Sequence, residues 1–279
     1  MAGPVWLVSY PKSGNTWLRL LLANLLSGRH EPEDINDPGL TMHSLVNRPV
    51  IEEMTLVDSF LLTREECDRI RPALMEQAWR EAAGSDIFIK LHDAYRHFAN
   101  GAPVLGRPAR AALYILRDPR DVAVSLAFHT GQPLEKSVRQ ILSGVTKMGG
   151  GAPHNEQISQ PLLDWSGHVR SWTGQRDVPI HVLRYEDLRA DTAACFGRAA
   201  AFLGLPVTPD GLDRAASHSD FSELQRQEAQ KGFRERRPES TAPFFRTGRV
   251  GGWREVLTLE QSAAIEAAHG AVMAEFGYL

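Results

Sequence analysis

The chain has 279 residues, 43% of them hydrophobic and 23% charged, with a net charge of −3. Such a composition belongs to a folded globular chain long enough for one large α/β domain or two small ones, and it excludes attachment to nucleic acid through bulk positive charge. The two cysteines, Cys67 and Cys195, form no metal-type or CxxC spacing, so each is expected to be a small buried apolar side chain in a reducing compartment.

The first informative stretch is VWLVSYPKSGNTWLRLLLANLL, Val5 to Leu26. Val5–Tyr10 is an apolar run of β-formers, Pro11–Asn15 is a turn, and Thr16–Leu26 is strongly helical. A strand, a tight turn and a helix make an anion site, because free N–H groups at the helix start face outward and the helix dipole favours negative charge there. Lys12 adds a full charge, and Ser13 and Thr16 add hydroxyl donors. The GxxxxGK[ST] pattern is absent. The apolar part of the helix, Leu18–Leu26, is interrupted by Arg19 and Asn24 and is too short to span a bilayer. The helix is therefore expected in the core, and the protein in the cytoplasm with no membrane partner.

A polar loop is expected from Ser27 to about Pro49. Thr63–Ala83 reads as a helix with Thr63 as N-cap and Glu66 completing a capping box, and Pro72 predicts a kink or break near Ile70–Arg71. Strands are expected at Asp86–Leu91, Ala111–Leu116 and Ile180–Leu183. Helices are expected from Pro119 to about His129, then over Leu134–Val145, Leu162–Gly174, Glu186–Leu203, Pro209–Ser217, Asp220–Gln230 and Leu259–Phe276. Met148–Gln160 reads as a Gly-rich loop, and Lys231–Gly252 as a basic one. Strands alternating with helices imply an α/β fold with a parallel sheet covered by helices, in one domain over 1–279. Ligands in such sheets bind beyond the carboxyl ends of the strands. Lys12, His92, Arg117 and Tyr185 each follow a predicted strand and are expected at that edge.

Three segments together carry a family resemblance. SYPKSGNTW (Ser9–Trp17) resembles the 5′-phosphosulfate loop of sulfotransferases that use 3′-phosphoadenosine 5′-phosphosulfate (PAPS). YILRDPRDVAVSLAFH (Tyr114–His129) resembles their 3′-phosphate motif, and RTGRVGGWREVLT (Arg246–Thr258) their C-terminal RKGxxGDWKxxFT loop. The resemblance implies a P-loop-like three-layer fold with a central, mostly parallel sheet. It implies that Lys12, Ser13, Gly14, Asn15, Thr16 and Trp17 surround the 5′-phosphosulfate, with Trp17 near the adenine, and that Arg117 and Ser125 bind the 3′-phosphate. Tyr185 in RYEDL matches an adenine-contacting tyrosine. Ser219 and Phe221 in HSDFSEL resemble a segment whose hydroxyl and ring hold the base. Arg246, Thr247 and Gly248 match the loop that closes on the 3′-phosphate. Thr247 stands where the family has a lysine, with Arg249 as candidate replacement, and Gly252 stands where it has an aspartate.

IKLHD (Ile89–Asp93) resembles the family's K-T-H segment. Lys90 and His92 are two apart and share a strand face. His92 is the general base that the resemblance implies, and histidine suits the task because an ordinary imidazole titrates near working pH. The resemblance implies that Lys12 serves the leaving oxygen, Lys90 the sulfuryl oxygens, and that Ser125 restrains Lys12 before substrate arrives. Asp93, facing the other way, is given no catalytic role, and His168 in WSGHVRSW is read as packing. His97, His129, His154 and His181 are read as surface or core histidines. No metal is expected. The acceptor is expected to be a small hydroxyl- or amine-bearing molecule, and the product adenosine 3′,5′-bisphosphate (PAP). Its pocket is expected from the loops His30–Met54, Tyr95–Arg107, Val145–Gln160 and Lys231–Phe245, whose apolar residues include Tyr95, Phe98, Phe233, Phe244 and Phe245. REVLTLEQSA (Arg254–Ala263) matches the family's dimerisation segment KxxxTVxxxE only in part, because Ala263 replaces its closing acid. The rival readings are a P-loop kinase, which needs Mg²⁺, and a non-catalytic PAPS- or PAP-binding protein.

Overall fold

The structure, a computed structural model, describes residues 2–40, 42–43, 45–106, 109–150 and 156–279, with only the backbone of Met42 and His43. The expectation for His154 lies outside the described residues. In chain order the elements are β1 (Pro4–Val8), α1 (Asn15–Ser27), β2 (Met42–His43), α2 (Arg48–Thr55), α3 (Arg64–Glu81), β3 (Ile87–Leu91), β4 (Ala111–Leu116), α4 (Pro119–Thr130) and α5 (Leu134–Leu142). Then come β5 (Lys147–Met148), β6 (Gln160–Pro161), α6 (Trp165–Thr173), β7 (Ile180–Arg184), α7 (Tyr185–Ala190), α8 (Thr192–Phe202), α9 (Pro209–His218), α10 (Phe221–Lys231), a 3₁₀ turn (Gly252–Glu255) and α11 (Leu259–Glu275). The class is the expected one, α/β with a mostly parallel sheet flanked by helices.

The chain divides into two compact units. The first comprises Met1–Tyr10, Thr41–Tyr114 and Ser143–His181. Its centre is β1, whose five residues are all buried. A strand covered on both faces reads as an unbroken apolar run, which PVWLV is. It pairs in parallel with β3, from Pro4 opposite Ile87 to Val8 opposite Leu91, and with β4, from Val5 opposite Ala111 to Val8 opposite Tyr114. The strand order is β2-β3-β1-β4-β7. On one face α6 packs through Trp172, edge-on to Trp6 with ring centroids 5.7 Å apart.

The second unit comprises Pro11–Leu40, Ile115–Leu142 and Val182–Leu279. Here α1 packs on α9, α8 on α7 and α9, and α11 on α4 and α5. α1 is buried nearly all round, from Trp17 to Leu25, so it is a core helix and not an amphipathic surface one. Its two polar interruptions are satisfied internally. Arg19 pairs with Glu235, and Asn24 donates to the Leu20 carbonyl and the Ser219 hydroxyl.

Several expectations need correction. α3 runs unbroken through Pro72, and its capping box at Thr63 and Glu66 is present. Its buried face, Cys67, Asp68, Arg71, Leu74, Met75 and Ala78, continues across the proline, and packing of that face outweighs the lost backbone bond. The single helix expected over Glu186–Leu203 is two, because Asp191 leaves helical geometry and caps α8 at the Ala194 N–H. The loop expected up to Pro49 contains β2 and the start of α2, where Pro49 occupies the helix's first turn. The ends of the expected loop Met148–Gln160 pair as the antiparallel ribbon β5–β6.

Candidate active site

The phosphate-type turn lies in the second unit. Lys12 has φ +69° and Gly14 has φ +111°, so the chain doubles back twice before α1 starts. Gly14 is required there by conformation and by space. A Cβ at that position would sit 2.9 Å from both Ile115 Cδ1 and Tyr185 Cδ2. No side chain caps α1 and no acid lies in its first turn, which leaves its N-terminus electropositive. The Ser13 hydroxyl is buried without a hydrogen-bond partner among the described residues, an arrangement that fits a ligand oxygen. Asn15 is buried at the helix start. The Thr16 hydroxyl donates to Glu235 Oε2 at 3.1 Å and accepts from Arg19 Nη2 at 3.0 Å. The Lys12 ammonium stands over the Phe244 ring, 4.1 Å from its centroid.

Beside the turn is a second cluster of cations. Arg117, just past β4, donates to the carbonyls of Lys12 (3.3 Å) and Arg249 (3.0 Å), and its guanidinium lies 4.2 Å from the Tyr185 ring centroid. Arg246 covers the Phe128 ring at 4.2 Å. Burial first, and then the positive charge of Arg117, hold the Arg246 pKa below its ordinary value. Cations that repel one another in a half-buried place make an anion site. Ser125 is half-buried on α4. Tyr185 OH donates to the Gly248 carbonyl at 3.1 Å. Gly248, with φ +60°, abuts the Phe221 ring, where a Cβ would come within 2.8 Å. Thr247 is exposed.

The aromatic residues near the turn interlock. Trp17 lies edge-on to Tyr185, with ring centroids 5.6 Å apart, and its Nε1 donates to the Ser219 carbonyl at 2.9 Å. Ser219 is wholly buried and its hydroxyl accepts from Asn24, so this residue braces Trp17 from within the fold. Arg189 stands over both Trp17 and Phe221. Phe233, Phe244 and Phe245 pack mutually, with centroids 4.7 to 5.2 Å apart. Phe233 and Phe245 are buried core residues, and Phe244 is half-buried.

Lys90 and His92 belong to the first unit. Lys90 is half-buried on β3 opposite Leu7. His92 follows the strand directly and is buried. Its Nδ1 lies 2.9 Å from the Ser9 carbonyl oxygen and 3.3 Å from the Ser9 hydroxyl. A carbonyl only accepts, so Nδ1 carries the proton and Nε2 the lone pair in the neutral ring. His168 is wholly buried. Its Nε2 is 3.0 Å from the His92 carbonyl, and its Nδ1 is 2.7 Å from Tyr114 OH. Burial pushes its pKa down to about 4. His168 therefore does more than pack.

Other residues escaped the sequence reading. Asp121 accepts from the N–H groups of Gly251 (2.7 Å) and Trp253 (2.9 Å), which anchors the loop where Gly252 has no side chain to do so. The signal was present: a loop lacking its own acid needs one elsewhere, and Asp121 lies within the Arg117–Ser125 segment. Arg249, the candidate for the missing cation at Thr247, has its guanidinium paired with Glu255 at 2.6 and 3.0 Å on the exposed side of the loop. Tyr95, offered as a pocket residue, is buried and donates its OH to Asp177 at 2.7 Å. His97 pairs with the same carboxylate at 2.6 Å. Both cysteines are free and buried.

A sulfotransferase domain profile matches residues 2–277. Arabidopsis thaliana Cytosolic sulfotransferase 8 is 28% identical over 274 residues, covering 92% of this chain and 73% of that protein. Rattus norvegicus Sulfotransferase 2A6 is 26% identical over 170 residues, 59% of this chain and 57% of that protein, so the match spans little more than half of that relative. Among solved structures, retinol dehydratase in a complex with retinol and PAP superposes with a TM-score of 0.61 at 20% identity, over 97% of this chain and 81% of that one. That likeness shows the fold.

Proposed function

This chain belongs to the sulfotransferase family, and we propose that it transfers the sulfuryl group of PAPS to a hydroxyl, or an amine, of a small-molecule acceptor, releasing PAP. The observation that carries the reading is the pairing, within one unit, of the turn around Ser13 with the repelling cations Arg117 and Arg246. Two anion sites braced by one set of aromatic residues suit a nucleotide with phosphates at both ends.

PAPS supplies an activated sulfuryl group whose departure leaves negative charge on a 5′-phosphate oxygen. In this reading the N–H groups at the start of α1, Ser13 and Thr16 hold the 5′ end, with Gly14 and Asn15 shaping the turn. Lys12 balances the charge on the leaving oxygen, where electrostatic stabilisation supplies most of the catalysis. Arg117, Ser125, Arg246, Thr247 and Gly248 hold the 3′-phosphate, while Trp17, Tyr185 and Phe221 flank the base and Ser219 braces Trp17. His92 takes the acceptor's proton at Nε2, its Nδ1–H fixed on the Ser9 carbonyl. Lys90 attends the sulfuryl oxygens.

The whole chain acts as one domain, a view supported by the profile's span of residues 2–277. Its acceptor is a partly apolar alcohol or phenol, in keeping with the retinol bound by one structural neighbour. The cytosolic naming of the plant relative supports a cytoplasmic enzyme, and no helix among the described residues is long and apolar enough to cross a membrane. Titration calorimetry tests the nucleotide: PAP binds tightly and ATP hardly at all, whereas Mg²⁺-dependent ATP binding would make this a kinase. A screen of hydroxyl and amine acceptors with labelled PAPS identifies the other substrate.

A further inference from the structure

We propose that Arg71, Asp93 and His168 form a buried scaffold that holds the His92 ring in its Nδ1–H tautomer, making Arg71 and His168 positioning residues for the proton acceptor. The inference rests on the reading of His92 as the base and adds Arg71, which no motif marks, together with Asp93 and His168, to which the sequence assigns no part in the chemistry. Arg71 on α3 has no solvent exposure. Its Nη1 and Nη2 grip the two carboxylate oxygens of Asp93 at 2.7 and 2.8 Å. Asp68 backs the pair: it accepts from Arg71 Nη1 at 3.5 Å and from Arg96 Nη2 at 3.0 and 3.1 Å.

A buried ion pair is a poor source of stability, since apolar residues of similar size often serve as well or better. Its best-attested use is to specify one arrangement, and the place of this one suggests what is specified. The pairing of β1 with β3 ends at Leu91, so the ladder no longer determines residues 92 and 93. Other groups take over. His168 Nε2 donates to the His92 carbonyl at 3.0 Å, and Trp172 Nε1 donates to the Asp93 carbonyl at 2.8 Å. The His92 ring donates to the Ser9 carbonyl. Thus the ring of His92, the side chain of Asp93 and both their carbonyls are each fixed, from α3, α6 and the residue after β1. Tyr114 OH, donating to His168 Nδ1 at 2.7 Å, keeps His168 in the tautomer whose Nε2 donates. The scaffold lies wholly within the first unit.

The test replaces both charges at once, Arg71→Met with Asp93→Leu, in the full chain. Imidazole ¹⁵N correlation spectra report the tautomer, with the His92 signal identified by its loss in His92→Gln. The native protein is expected to show a protonated Nδ1 and an unprotonated Nε2. In the double variant the two shifts move toward an averaged ring. With PAPS saturating and an acceptor from the screen, kcat falls about 10- to 100-fold while the Kd for PAP stays within about threefold. In the His92→Gln background the same exchange changes the residual rate by less than about twofold, because the scaffold acts through a ring no longer there. Unchanged His92 nitrogen shifts in a folded double variant would overturn the proposal, as would an equal loss of rate in both backgrounds. Wild-type turnover in His92→Gln would instead remove the base assignment and leave the nitrogen shifts to decide the scaffold. Should the double variant fail to fold, Tyr114→Phe loosens the same scaffold from its far end and is expected to move the His92 shifts in the same direction. Their staying fixed overturns it equally.

Discussion

His168 makes the fold sensitive to acid in a calculable way. Buried, with no charged partner among the described residues, its ring stays neutral in the native state down to about pH 4, whereas in the unfolded chain it titrates at its ordinary value of 6.5. Between those values the unfolded state binds the extra proton, so stability present above pH 6.5 is lost as pH falls toward the native pKa. The full loss is about 3.4 kcal/mol at 1.36 kcal/mol per pKa unit, of which about 2.6 kcal/mol has gone by about pH 4.5. That is a large share of a typical domain's total. His168→Gln isolates the effect, because an amide can donate to the His92 carbonyl and accept from Tyr114 OH but does not titrate. Urea unfolding of both proteins at about pH 7.5, 6 and 4.5 gives the two stability profiles. Carboxylates contribute to both and cancel in the difference, which should narrow by about 2 to 3 kcal/mol in favour of the variant toward acid. Parallel profiles, within about 0.5 kcal/mol, would mean that His168 is not a neutral buried ring.

Three further outcomes follow from the site. Lys12→Ala should lower kcat by about 10²- to 10³-fold but PAP affinity by less than about tenfold; equal losses in steady-state and calorimetric measurements would reduce Lys12 to a binding residue. Gly14→Ala should cost about 1 to 3 kcal/mol in thermal or urea unfolding and weaken PAP binding as well, since its positive φ and the 2.9 Å approach to Ile115 and Tyr185 leave no room for a methyl group. Asp121→Ala, which frees the amides of Gly251 and Trp253, should raise the KM for PAPS about tenfold while leaving kcat at saturating PAPS within about threefold.

The strands and the anion turn were legible because their signals are local. PVWLV and AALYIL are uninterrupted apolar runs, and Lys12-Ser13-Gly14 is a short segment whose backbone must turn whatever surrounds it. Thr63 with Glu66 announces its helix by a capping box that the structure contains. Where the reading failed, distant packing competed with a local rule. Pro72 was expected to kink or break α3, and it does not break it, because a buried face runs past it. Asp191 lies inside the stretch expected to be mostly helical and is a cap between two helices.

The nucleotide residues were legible at the level of which side chains, and less so at the level of what they touch. Ser219 was expected beside the base, and its hydroxyl oxygen also accepts from Asn24, nearly two hundred residues earlier in the chain. Arg249 was a candidate cation and is turned to Glu255. Arg71 carries no motif and Asp93 was given no role, and their pairing appears only when α3 and the end of β3 are brought side by side. Sequence by itself determined the order of the longer strands and helices, the turn around Ser13 and the chemical types that follow the strands, since those follow from neighbours along the chain. Tertiary structure alone decided which charges are neutralised, which hydroxyl stays without a partner and which tautomer His92 carries. Each of those depends on a partner far away in sequence, and burial makes the presence or absence of that partner cost several kcal/mol.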